Sequence, residues 1–199
     1  VTHDDTVPTL GTVGIATAGT GNANDADVVT LTFTASEAIQ TPTCTINDGL
    51  GAAMDNSITT TNTGGNVWTC AVTTNNADGN GAMTFSVAYS DAAGIAGVAD
   101  STVDDGSSVT IDNTHPTLGT VSIATGGSGN ANNGDTVTLS FIASETIQTP
   151  TCTINDGLGA AMDNSITTTN TAGTTWTCVL TVNDADGNGA MTFSVAYSD

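Results

Sequence analysis

The chain has 199 residues and carries no Lys or Arg against 20 acidic side chains, a net charge of −20. That balance excludes nucleic-acid binding, since a phosphate backbone would be repelled, and an anionic membrane surface would repel it too. No apolar run approaches the roughly 18 residues of a membrane span, and clustered Asp without basic partners makes a divalent cation, calcium above all, the expected counterion.

Taken in chain order, the first half alternates apolar and polar residues with the period of two expected of strands. GTVGIAT (residues 11–17) is the first strand. VVTLTFTAS (28–36) is the second, with Val29, Leu31, Phe33 and Ala35 on one face. TPTCTIN (41–47) follows, and Pro42 marks it as an edge or a strand start. SITTTNT (57–63) is a weak, polar strand. VWTCAVTT (67–74) places Trp68, Cys70 and Val72 on one face, and AMTFSVAYS (82–90) turns Met83, Phe85, Val87 and Tyr89 inward. A last strand is expected between Gly97 and Ile111. Gly, Asn and Asp clusters supply the turns between them, and no segment has a helical period. High charge with low hydrophobicity can mean disorder, but the clean alternation and the abundance of Val and Thr argue for strands. About seven short strands per unit predict an all-β, tandem immunoglobulin-like β-sandwich.

The chain matches itself without gaps at an offset of 108, as from Cys44 to Cys152, from Trp68 to Trp176 and from Glu37 to Glu145. The expected domains are residues 1–108 and 109–199. The second lacks a counterpart of AAGIAGVADSTVDDGSS (92–108), so its last strand is expected either beyond Asp199 or from a neighbouring subunit. Val1 in place of an initiator Met, with no leader sequence, reads as a processed chain or an excerpt.

VTLTFTASEAIQTPTCTI, NVWTCAV, DGNGAMTFSVAYSDAAGIAG and VTIDNTHPTLGTV together resemble the bacterial Ig-like repeats of large secreted adhesins and surface proteins. The resemblance covers nearly all of both units. It departs from that family in its Cys pairs, in the longer NDGLGAAMDNSI connection and in AGI (Gly94-Ile95) where the family has AGN. It implies the sandwich fold and, at domain junctions, calcium that stiffens a rod. By that resemblance Asp91, Asp104, Asp105 and Asp112, joined by Glu37, are the candidate calcium ligands. A solvated acidic connector is the alternative reading.

Each unit holds two Cys, Cys44 with Cys70 and Cys152 with Cys178. Even counts in an acidic, Thr-rich chain suggest disulfides and an oxidising compartment. With no His nearby, zinc and a catalytic thiol are the weaker readings. The stretch IQTPTCTINDGLGAAMDNSITTTNT recurs unchanged at residues 39–63 and 147–171, whereas other loops differ between the repeats. Either the duplication is recent or the loop makes a contact. In the second case Leu50, Met54 and Ile58, with Leu158, Met162 and Ile166, would form an apolar assembly patch. No nucleophile–base set, metal-ligating His or phosphate loop is present, so an enzyme is not expected. The expected role is a structural repeat of an extracellular filament, sheath or adhesin stalk at the cell surface. Its expected partner is itself, head-to-tail or laterally. A surface module recognising a glycan or protein through its loops is the alternative.

Overall fold

A computed structural model of the chain describes residues 3–18, 21–126, 129–162 and 164–199, all in strands, turns and irregular segments. Val1 and Thr2, the expected opening of the first repeat, lie outside them. The chain divides into two compact units, Val1–Thr114 and His115–Asp199.

The first unit runs β1 (Leu10–Thr17), β2 (Asn22–Ala23), β3 (Val28–Ala35), β4 (Thr43–Asn47), β5 (Thr59–Gly64), β6 (Val67–Thr73), β7 (Gly81–Ala82), β8 (Thr84–Ala88) and β9 (Thr110–Ile111). One sheet has the order β1-β3-β6-β5. The other layer is the β4–β8 pair together with the small β2-β9-β7 sheet. This is the immunoglobulin arrangement of two antiparallel layers. The alternation read from the sequence sets which side chains face inward. Val29, Leu31 and Phe33 from β3 and Trp68, Cys70 and Val72 from β6 meet Ile46 from β4 and Phe85 and Val87 from β8 in one core. Each such buried side chain contributes roughly 1.5–3 kcal/mol.

The expected last strand between Gly97 and Ile111 is instead a path with three stations. It bridges Val87 at Asp100. It then reaches β1, where Asp104 N–H donates to the Val13 carbonyl and the Ile15 N–H donates to Ser107 Oγ. Only then does it become β9. The crossing is steered by a bulge in β1, whose register against β3 shifts between Gly11 and Gly14, with Thr12 at a φ of 39°. The bulge turns the Val13 N–H onto the Asp104 carboxylate at 2.8 Å. Gly14 leaves room for the crossing segment, since a Cβ there would lie 2.3 Å from Asp105 Oδ2 and push that carboxylate aside.

The domain frame drawn at Val109 is corrected by the structure. Residues 109–114 belong to the first unit. Val109 and Ile111 are each 1% exposed in its core, and β9 pairs with both β2 and β7.

The second unit runs β10 (Leu118–Thr125), β11 (Thr136–Ala143), β12 (Thr151–Asn155), β13 (Thr167–Ala172), β14 (Thr175–Thr181) and β15 (Thr192–Ala196). Its sheets are β10-β11-β14-β13 and β12-β15. The registers repeat, so that Phe141 faces Trp176 as Phe33 faces Trp68. Among the described residues nothing corresponds to the β2-β9-β7 sheet.

Candidate functional site

In each unit the two Cys are joined, Cys44 to Cys70 and Cys152 to Cys178, across 26 residues. Cys44 lies on β4 and Cys70 on β6, so the bond ties one layer of the sandwich to the other. Closing a loop of this length stabilises by roughly 3.5 kcal/mol in the chain-entropy view.

The repeated loop is organised by a carboxylate that the sequence reading passed over. Asp48 is buried, and its Oδ1 accepts from the Leu50 and Ala52 N–H groups at 3.0 and 2.8 Å. Its Oδ2 accepts from Gly79 N–H at 2.8 Å, which binds the loop to the turn before β7. Asp156 does the same with Leu158, Ala160 and Gly187. These backbone donors, Gly79 and Gly187 first, hold both carboxyls below the ordinary aspartate range against the opposing effect of burial. The two loops touch backbone to backbone: a Cβ on Gly49 would sit 2.3 Å from Gly81 Cα. The available signal was the Asp-Gly-x-Gly turn, where an Asp side chain commonly caps its own following N–H groups.

The expected assembly patch is mostly inside. Met54 and Met162 are buried, and Ile58 and Ile166 pack against the two cores. Only Leu50 and Leu158 stand in solvent, 80% and 81% exposed. Met54 and Met162 therefore serve the core of their own unit, and Ile58 and Ile166 are half-buried against it.

The carboxylate candidates separate into two groups. Asp104 and Asp105 lie along β1, far from the others in role. Asp104 accepts from Val13, and Asp105 accepts from Ser107 N–H at 2.9 Å. Ser107, through its hydroxyl and its N–H, lowers the Asp105 pKa. Asp112, just after β9, donates its N–H to the Ala23 carbonyl and accepts from Thr114 N–H. None of these three joins Glu37 and Asp91 in the first unit. Asp4 does. Oxygens of Asp4, Glu37 and Asp91 lie within 4.8 Å of one another.

The backbone explains the convergence. Thr9 and Ser36 hold each other through Thr9 N–H to Ser36 Oγ and Ser36 N–H to the Thr9 carbonyl. This brings the N-terminal segment beside Glu37. Ile39 bridges Asp91, and Gln40 N–H donates to the Ser90 carbonyl, which carries the β4–β8 pairing out to the cluster. Asp91 is 1% exposed. Its Oδ1 accepts from Ile95 N–H at 2.7 Å, but its Oδ2 and Glu37 Oε1 are buried with no hydrogen-bond partner. Burial first, then the charges of Asp4 and Asp91, raises the Glu37 pKa. Buried anionic oxygens without donors are costly, and a bound cation is the group that would satisfy them. Three carboxylates suit calcium, which takes six to eight oxygens including water.

No protein-family model matches the chain, and no curated protein does. Among solved structures it is similar to the I-band fragment I67–I69 of titin, at 10% identity and a TM-score of 0.48, over 98% of this chain and 65% of that one. It is also similar to the I9–I11 tandem of titin, at 14% identity and a TM-score of 0.33, over 96% of this chain and 64% of the other. The titin domains z1z2 in complex with telethonin match at 11% identity and a TM-score of 0.32, over 98% and 96%. The chain thus spans about 65% of the length of the first of these. The tandem immunoglobulin-like assignment rests on the strand order and core described above.

Proposed function

We propose that the chain is a structural repeat of an extracellular filament, sheath or adhesin stalk, working mechanically through Ig-like modules in series. The observation that carries this reading is the repetition of one engineering solution. Both sandwiches have their own inter-sheet disulfide and their own Asp-organised loop. A binding tip needs one distinctive surface, whereas a spacer needs many equivalent ones. Disulfides favour an oxidising space outside the cytosol. The resemblance to bacterial Ig-like surface repeats points the same way, as does the lack of any nucleophile–base pair in the sequence. The partner in this reading is the protein itself. Lateral contact, if it uses the repeated loop, falls to Leu50 and Leu158.

In this reading Asp4, Glu37 and Asp91 hold a calcium ion. The ion would supply the positive charge that the chain lacks and lock the N-terminal segment onto the body of the first unit. Electron microscopy of the native material, with and without chelator, tests the whole. Filaments or strings are expected, and discrete compact particles would contradict it. Calorimetric titration tests the ion separately. Asp91→Asn should remove one calcium site and weaken binding there at least tenfold, while leaving the chelated protein folded. A wild-type chain that takes up no calcium at millimolar concentration would remove the ion from the reading.

A further inference from the structure

Of the chain's 20 acidic residues, none lies on β1, β3, β5 or β6, nor on β10, β11, β13 or β14. The two four-stranded sheets are therefore built of uncharged strands in a chain of net charge −20. Their hydroxyl-bearing residues stand in register: Thr61, Thr69 and Thr32 side by side in the first unit, and Thr169, Thr177 and Ser140 in the second. Each sheet ends on a strand paired on one side alone, β5 with β6 and β13 with β14. Among the described residues, no further backbone hydrogen bond reaches 59–63 or 167–171. These segments are exposed except at Thr60 and Thr168, whose hydroxyls meet Cys70 and Cys178. The opposite edge of the first sheet, β1, is by contrast taken by the path through Asp104 and Ser107.

An open edge of β-branched residues is a template for another strand, and folded proteins ordinarily blunt it with a charge, a proline or a very short strand. β5 and β13 have six residues each, with neither charge nor proline. Their one irregularity falls at the hairpin end, between Asn62 and Gly64 and between Asn170 and Ala172. We propose that β5 and β13 pair antiparallel with the same edges of a second copy of the chain. This deepens the self-association part of the reading above and rests on it, and it places the lateral contact on a sheet edge instead of on Leu50 and Leu158.

Three observations select a second copy as the occupant. First, the edge is complementary to itself. Turned end for end about Thr61, the segment TTTNT (59–63) sets Thr61 against Thr61 and Thr59 against Thr63. Cross-strand Thr pairs stabilise a sheet, and a two-fold contact places the same patch on both sides. The segment 167–171 has the same sequence. Second, copies of so acidic a chain repel wherever carboxylates face each other, whereas joining these edges brings two backbones together with no acidic residue on either strand. Third, the exposed edge is unchanged between the units, while the exposed Asp25 and Ala26 become Asn133 and Gly134. Packing within a unit does not require Thr at the exposed positions 59, 61 and 63. A chain with two such edges binds a copy at each, so association propagates past a dimer.

Sedimentation equilibrium of the 199-residue chain at low and high salt is the test. Association should grow with concentration and strengthen as salt screens the charge that holds copies apart. Thr61→Asp with Thr169→Asp should weaken it about tenfold or more, because like charges would then face each other. Thr61→Lys with Thr169→Lys should weaken it likewise. A labelled Asp variant should co-sediment with the Lys variant and not with unlabelled Asp variant. Leu50→Asp with Leu158→Asp should leave association unchanged. The unfolding transition of each variant checks its fold, and Thr59→Asp with Thr167→Asp repeats the test should the first pair unfold. A chain that stays monomeric at high salt and millimolar concentration overturns the proposal. So does association that the Asp variants leave intact, or a mixture of Asp and Lys variants that does not recover it. Loss in the Leu variant alone moves the contact to the repeated loop and overturns edge pairing. A monomeric chain alongside filaments in native material removes edge pairing and leaves the mechanical reading standing. Edge-paired chains in solution alongside compact native particles would do the reverse.

Discussion

The two units repeat one sequence pattern but do not bury the same residues. Phe85 is 7% exposed and Phe193 is 40% exposed; Tyr89 is 9% exposed and Tyr197 is 37% exposed. Val13 and Ile15 are buried in the first core, while Val121 and Ile123 are only half-buried against the second. The four-stranded sheets match register for register. What differs is the segment from residue 92 to β9, which in the first unit runs along β8, over β1 and between β2 and β7. Burial on this layer comes from the covering segment, and alternation within a strand only decides which side chains are offered to it.

The largest expected effect breaks that comparison directly. Phe85→Ala should cost about 3–5 kcal/mol in the first unit, the range for emptying a buried aromatic site. Phe193→Ala in the second should cost about 1 kcal/mol, since its side chain is already partly in water. Denaturant unfolding resolved into two transitions reads both. Equal costs would mean that Phe193 is covered in solution as Phe85 is.

Next in size, the disulfides should not distinguish the units. Cys44→Ser with Cys70→Ser, and Cys152→Ser with Cys178→Ser, should each lower the stability of their own unit by roughly 3.5 kcal/mol. Both pins join matched strands in both units, so unequal losses would show that the second sandwich draws its order from elsewhere.

Smaller still is the acid response of the repeated loop. Asp48 and Asp156 have pKa values lowered in the folded chain. Their contribution is complete above the ordinary aspartate range and is lost as pH falls from about 4 through their depressed values. Asp48→Asn and Asp156→Asn should each lower the melting temperature of their unit by several degrees at pH 7. Each should also flatten its pH dependence below pH 4. A melting curve of either variant that keeps the wild-type acid slope would show that the loop carboxylate does not carry it.

Much of the sandwich was legible in the sequence. Val29, Leu31 and Phe33 announce their face because side chains alternate along any strand, and four Cys in two equal spacings announce two bonds. The site was less legible. Asp104 and Asp105 look like ligands beside Asp112 in the linker, but the Asp104 carboxylate is taken by the backbone of Val13, 91 residues earlier. Asp4 looks like a solvated terminal residue until the Thr9–Ser36 pairing sets it beside Glu37. In the loop, Leu50 and Met54 are both apolar. Met54 is buried and Leu50 exposed, in a loop whose path is held by the Asp48 cap on Leu50 and Ala52 and by the Met54 N–H bond to the Ile46 carbonyl.

By itself the sequence determined the strands, their inward faces, the repeat and the presence of the disulfides, because these follow from nearest neighbours, periodicity and counting. Only the tertiary structure decided which carboxylates meet, which apolar side chains are covered and where the first unit ends. Those outcomes depend on backbone groups distant in sequence finding partners, and a hydrogen-bond donor brought from 91 residues away leaves no local trace in the chain.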